Sequence, residues 1–213
     1  MSRYETEEEQ VDAIKSWWKK NGTTTLSLLL VGVIAISGWR YWTNTQYVAS
    51  ANASSVYEIL QINMQQNSFG EVSREALKLM QEQPKSPYAA GAAMIYAKYS
   101  IEKGDAEDAI TKLNWIVENS KDFQLRNAAL LTIARVQTDL KAFDKANSSL
   151  SELGKVNLKG AEKASFDYVS GLVALAESKT DDAREAFKRV VTNVKAEKNL
   201  MGLAQIQLDD LAQ

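Results

Sequence analysis

The chain of 213 residues contains no cysteine and no histidine. That double absence removes disulfides, thiol and imidazole catalysis, zinc sites built from Cys or His, and every triad that relies on a histidine base. A chain without cysteine also suits an oxidising compartment, where it cannot be mispaired. Proline is nearly missing, with Pro84 and Pro87 alone, and there are ten glycines. Long stretches rich in Ala, Leu, Glu, Lys and Gln therefore run uninterrupted, and none alternates with the period of two that marks a half-buried strand. The 25 basic and 27 acidic residues are mixed along the chain for a net charge of −2. No basic stripe is left for nucleic acid and no acidic tail for a charge-driven tether.

Charge is missing altogether from Asn21 to Trp39, a run dominated by Leu, Val, Ile, Gly and Ala. From Trp18 to Trp39 a helix rising ~1.5 Å per residue covers ~31 Å, close to the ~30 Å hydrocarbon thickness of a bilayer. Trp17, Trp18, Trp39 and Trp42, four of the five tryptophans, sit with Tyr41 at the two ends of the run, where amphipathic rings meet the headgroups. A soluble core helix is seldom bracketed in this way. A cleaved signal peptide fits poorly too, because Ala51-Asn52-Ala53 lies well beyond Gly38 and the leading segment is long and acidic. The run reads as an uncleaved anchor.

Arg3, Lys15, Lys19 and Lys20 precede the span; Arg40 follows it, with no Lys or Arg between Arg40 and Arg74. This asymmetry places the N-terminus in the cytoplasm and the rest of the chain across the membrane, which in a bacterium is the periplasm. The expected layout is a cytoplasmic tail over 1–20, a transmembrane anchor over 21–42 and one translocated domain over 43–213. In the tail, Val11, Ile14 and Trp18 form the apolar stripe of an amphipathic juxtamembrane helix. In the span, Gly32, Ala35 and Gly38 offer small surfaces on which another helix could approach within lipid.

The translocated part reads as all-α, with helices at 46–66 (continuous with the span), 71–82, 87–102, 106–119, 124–140, 144–153, 161–178, 181–196 and 199–211. Ser86-Pro87 is a start signal, serine as cap and proline at the first helical position. The helices pair and the pairs repeat. Segments beginning at Ala97, Ala134 and Ala174 each carry a second alanine at Ala109, Ala146 and Ala186 and an aliphatic residue at Leu113, Leu150 and Val190. A fainter earlier unit aligns Ala76 with Met80. Small residues where helices approach, with large ones beside them, are the tetratricopeptide pattern in degenerate form, whose ideal period is ~34 residues. The longer spacings imply irregular loops such as 154–160. A last helix with Leu200, Leu203, Leu208 and Leu211 would cap the stack.

No catalytic constellation stands out. Glu7 to Glu9 favour a helix start, Asp181-Asp182 and Asp209-Asp210 read as surface charge, and the stretch 104–109 lacks the alternating ligands of a calcium loop. The expectation is a binding module without cofactor, metal or enzymatic activity. In stacked hairpins the first helix of each pair lines the concave face. That would expose Met94, Lys98 and Ile101, then Leu131 and Arg135, then Tyr168, Gly171 and Leu175, a mixed apolar and basic surface suited to a peptide.

The tail YETEEEQVDAIKSWWKKNG, the span ending in GWRYW and the repeats through ARVQ at 134–137 together resemble the YfgM-like family of ancillary SecYEG translocon subunits. The resemblance implies an inner-membrane protein with a cytoplasmic N-terminus and a periplasmic tetratricopeptide-like domain. It further implies association with the SecYEG translocon and a membrane-anchored periplasmic isomerase-type chaperone, and a role in passing unfolded, newly translocated clients to periplasmic chaperones. A scaffold for another envelope assembly, or a regulator acting through its tail, would share this fold and topology.

Overall fold

The computed structural model describes residues 7–66 and 68–212, the side chains of Glu7, Glu8 and Phe69 excepted; Arg3 lies outside them. Among the described residues the regular structure is helical throughout, in nine helices: α1 Glu7–Gln65, α2 Phe69–Glu82, α3 Pro87–Glu102, α4 Ala106–Asn119, α5 Phe123–Asp139, α6 Phe143–Gly154, α7 Gly160–Ala176, α8 Thr180–Thr192 and α9 Lys198–Asp210. The expected start of α3 is found as read, with Ser86 Oγ accepting the Tyr88 N–H and Pro87 opening the helix. The expected 181–196 helix ends earlier, at Thr192. Asn193 leaves the helix there and its side-chain amide donates to the carbonyl of Gly160, tying this loop to the start of α7.

Packing divides the chain into two units, Met1–Ala51 and Asn52–Gln213. In the first, α1 is apolar on every side, and Leu28 to Val31, Val33, Ile34 and Ile36 are all exposed. In the second, residues 52–65 of α1 share a buried cluster with α2 and α3, and α3 packs on α4, α5 on α6 and α7 on α8 as successive hairpins. The first helices of neighbouring hairpins also meet, α3 with α5, α5 with α7 and α7 with α9.

Three of the hairpins turn identically. Gly104, Lys141 and Ser178, each 37 residues after the last, hold positive φ values of 81°, 58° and 63°. Around each, the preceding N–H donates four residues back, and the following one donates five back at 2.8 Å, from Asp105 to Ser100, Ala142 to Gln137 and Lys179 to Ala174. This double closure satisfies the last carbonyls of the helix and reverses the chain. Gln66 and Ser68 donate in the same way at the end of α1.

The same step of 37 runs through the core. Val72, Ala109, Ala146 and Ala183 form one buried row of the second helices; Ala76, Leu113, Leu150 and Phe187 form another; Leu79, Ile116, Leu153 and Val190 form a third. The register expected from Ala174, Ala186 and Val190 is therefore displaced by three residues in the last unit, and the early unit aligns on Val72 rather than Ala76. The displacement has a steric cause. Opposite the second row, the first helices carry Leu60, Ala97, Ala134 and Gly171. Where one side is large the other is small, so Leu60 shares its cluster with Ala76, and Ala97 with Leu113. The extreme case is Gly171, where an ideal β-carbon would lie 2.7 Å from the Phe187 ring. In α9 the inward stripe is Leu200, Ala204 and Leu208, continued by Leu211 just past its end; Leu203, expected in the cap, faces out at 49% exposure.

Polar links fasten the two helices of a hairpin together. Asp108 accepts from Ser100 Oγ at 2.7 Å and from Lys112 Nζ at 2.8 Å, and Lys112 also sits 4.9 Å from the Tyr96 ring centroid, so α4 is held to α3. Burial pushes the Asp108 carboxyl up, but hydrogen bonds from Lys112 and Ser100 and the Lys112 charge outweigh it and hold the group below the ordinary 3.8. A lowered native pKa gives stability that is present above the unfolded value and lost as pH falls through the folded one. Asp108→Asn is thus expected to melt below the wild type at pH 7, with the difference shrinking as pH drops below about 4. Melting curves across that range check it; a gap that stays constant with pH would place the effect in packing instead. Asp167, only 2% exposed, similarly accepts from Lys163 at 2.7 Å and from Arg189 of α8 at 3.0 Å.

Candidate functional site

Two surfaces stand out, one in each unit. The first is the apolar length of α1. Among the described residues it is the one helix long and apolar enough to cross a membrane, and only 6% of its most apolar window is buried. A soluble core helix would be covered; this one exposes Leu, Val and Ile around its whole circumference, as a helix in lipid does. Trp17 and Trp18 lie with ring centroids 6.3 Å apart at one end, and Trp39 and Trp42 lie 5.6 Å apart at the other, with Tyr41 76% exposed. Nothing lies within 4 Å of a β-carbon built on Gly32 or Gly38. At 100° per residue Ala35 lies between those two glycines on one third of the helix circumference.

The second surface is a groove of about 310 Å³ between α5 and α7, the first helices of two successive hairpins. Its apolar walls come from Leu131 of α5, Leu153 at the end of α6 and Leu158 in the linker, and its polar ones from Gln124, Asn127, Glu162, Ser165 and Glu197. The linker matters here. Five residues join α6 to α7, whereas three join α4 to α5, and Leu158 contributes its side chain from that longer connection.

Of the eight residues expected on the concave face, Leu131 lines this groove. Met94 packs on the cluster between α3 and α4, and Tyr168 and Leu175 pack on the cluster around Phe187, so these three are half-buried. Tyr168 stacks obliquely on Phe187 at 5.7 Å. Ile101 is exposed at 39%, Lys98 reaches Glu102 at 3.8 Å, and Arg135 is exposed. Gly171, expected on the open face, is buried beneath Phe187. Asn127, Glu162 and Glu197 went unnoticed in the sequence. The 37-residue row makes Asn127 visible afterwards, since Ala53, Ala90 and Ala164 hold its equivalent positions.

Comparison with known proteins covers both units. A family model described as a tetratricopeptide repeat-like domain matches residues 15–213, span and repeats together. The chain is 32% identical to an ancillary SecYEG translocon subunit of Haemophilus influenzae over 86% of this chain and 87% of the relative. It is 30% identical to the protein of the same name from Escherichia coli over 72% and 73%, and 22% identical to that of Neisseria gonorrhoeae over 99% and 100%. With the apolar helix, the hairpin stack, a family model over residues 15–213 and a relative 32% identical over 86% of this chain, the protein belongs to the tetratricopeptide repeat-like family of ancillary SecYEG translocon subunits.

Proposed function

We propose that this chain is a non-enzymatic ancillary subunit of the SecYEG translocon in the bacterial inner membrane. Its span docks in the membrane with residues 1–20 in the cytoplasm, and the domain over 43–213 receives newly translocated clients in the periplasm and passes them to periplasmic chaperones. A membrane-anchored isomerase-type chaperone is the partner at that hand-off. The observation that carries this reading is the similarity to translocon subunits across span and repeats at once, since a shared repeat fold alone would speak only for protein binding. The orientation is supported by Lys15, Lys19 and Lys20 before the span against Arg40 alone shortly after it.

The span is proposed as the docking element, with Gly32, Ala35 and Gly38 as the close-approach surface, because small residues let helices pack tightly where lipid gives no hydrophobic drive. Full-length protein extracted in mild detergent is expected to co-purify with the translocon and the associated chaperone. Exchanging residues 21–42 for an unrelated span of equal length and orientation should weaken that association and leave the repeats folded. Association that survives the exchange would move docking to the repeat domain. Recovery of a different envelope complex, with no translocon, would overturn the functional reading while leaving the fold untouched.

A further inference from the structure

We propose that the groove between α5 and α7 is a subsite for extended polypeptide segments that carry a lysine or arginine beside an aliphatic residue. The proposal rests on the protein-binding reading of the repeat domain and adds the chemistry of what is bound. It starts from Asn127. In the buried row Ala53, Ala90, Asn127 and Ala164, three hairpins use alanine and one uses an amide that is 9% exposed. Its Nδ2 makes only a long 3.5 Å contact to Glu162. No buried side-chain oxygen or nitrogen among the described residues lacks a partner, so the Asn127 carbonyl oxygen, which accepts from none of them, opens to the groove it lines. An amide in an alanine row departs from the local rule, and such departures belong to sites with a task. Asn presents one acceptor and two donors, which match the N–H and C=O of an extended backbone.

Charge selects the side chain. Glu162 and Glu197 line the groove and no lysine or arginine does. The ion pairs of the domain lie elsewhere. The nearest lysine in sequence to Glu162, Lys163, is engaged with Asp167 at 2.7 Å and with the Phe166 ring at 4.6 Å. Two carboxylates beside Leu131, Leu153 and Leu158, neither held in an ion pair among the described residues, fit a cation carried next to an aliphatic side chain. A space of about 310 Å³ takes one or two side chains of a strand rather than a whole helix.

The test uses full-length protein in detergent and three short fluorescent peptides, alternating leucine with lysine, with glutamate or with serine. The leucine–lysine peptide is expected to bind about tenfold tighter than the leucine–glutamate one at low salt, and to lose that advantage as salt screens the carboxylates. Glu162→Gln with Glu197→Gln should abolish the preference and leave the leucine–serine peptide unaffected. Asn127→Ala should weaken all three by about tenfold; it is expected to fold, because alanine fills the same position in three other hairpins. Equal affinity for the lysine and glutamate peptides would overturn the proposal. So would unchanged affinities in a folded Asn127→Ala variant, or a preference that survives the double glutamine exchange. None of these outcomes touches co-purification with the translocon, which depends on the span, so failure here and failure of the translocon reading can be told apart.

Discussion

Gly171→Ala is expected to destabilise the protein, although alanine is the better helix former by about 1 kcal/mol. The new methyl would lie 2.7 Å from Cε1 of Phe187 and 2.9 Å from Cδ1 and Cζ. Phe187 cannot retreat easily, because it is fully buried among Ala164, Ala183, Val190 and Ala204. Overpacking of this kind costs about 1–3 kcal/mol. Phe187→Leu alone should also destabilise, by leaving a void over the bare glycine. The two together should be nearly harmless, because they recreate the pairing of alanine on the first helix with leucine on the second that Ala97 and Leu113, and Ala134 and Leu150, already use. A coupling of about 2–3 kcal/mol in a double-mutant cycle is expected, read from urea unfolding of the purified protein. Simple additivity of the two changes would refute the complementarity of the two rows.

The second large effect lies in the span. Leu30 and Val33 are 62% and 59% exposed near the middle of the apolar run, and exposure of apolar residues all round a helix of this length suits a lipid surrounding. An arginine at the centre of a spanning helix costs about 2.5–3.5 kcal/mol on insertion scales. Leu30→Arg with Val33→Arg is therefore expected to prevent stable insertion, and the protein should leave the alkali-washed membrane fraction. Leu30→Val with Val33→Leu, which keeps composition, should stay in it. Retention of the double arginine variant in the washed membranes would mean that something other than this helix anchors the chain.

Much of this could be read from the sequence, and for local reasons. The absence of proline after Pro87 and the scarcity of glycine fixed an all-helical chain, and capping at Ser86 or Asp105 depends on neighbours only two or three residues away. The span is equally local, since an uncharged, mainly apolar run from Asn21 to Trp39 flanked by tryptophans needs no tertiary partner to be recognised. Hairpin pairing was legible because small and large residues recur at one spacing in α3–α4 and α5–α6.

What the tertiary structure decided was whatever depends on two distant residues compensating each other. Identity at the matched positions fails in the last hairpin, where glycine faces phenylalanine, and in the first, where leucine faces alanine. Matching residue types therefore slipped to Ala174, Ala186 and Val190, while the summed size of each facing pair held the 37-residue step. The same limit hid the groove. Asn127, Glu162 and Glu197 come from α5, α7 and the loop before α9, and only the packing of α7 beside α5 brings them together. Exposure of Met94, Tyr168 or Gly171 likewise depended on which neighbour covers each one, and for Gly171 that neighbour is a ring sixteen positions further along the chain.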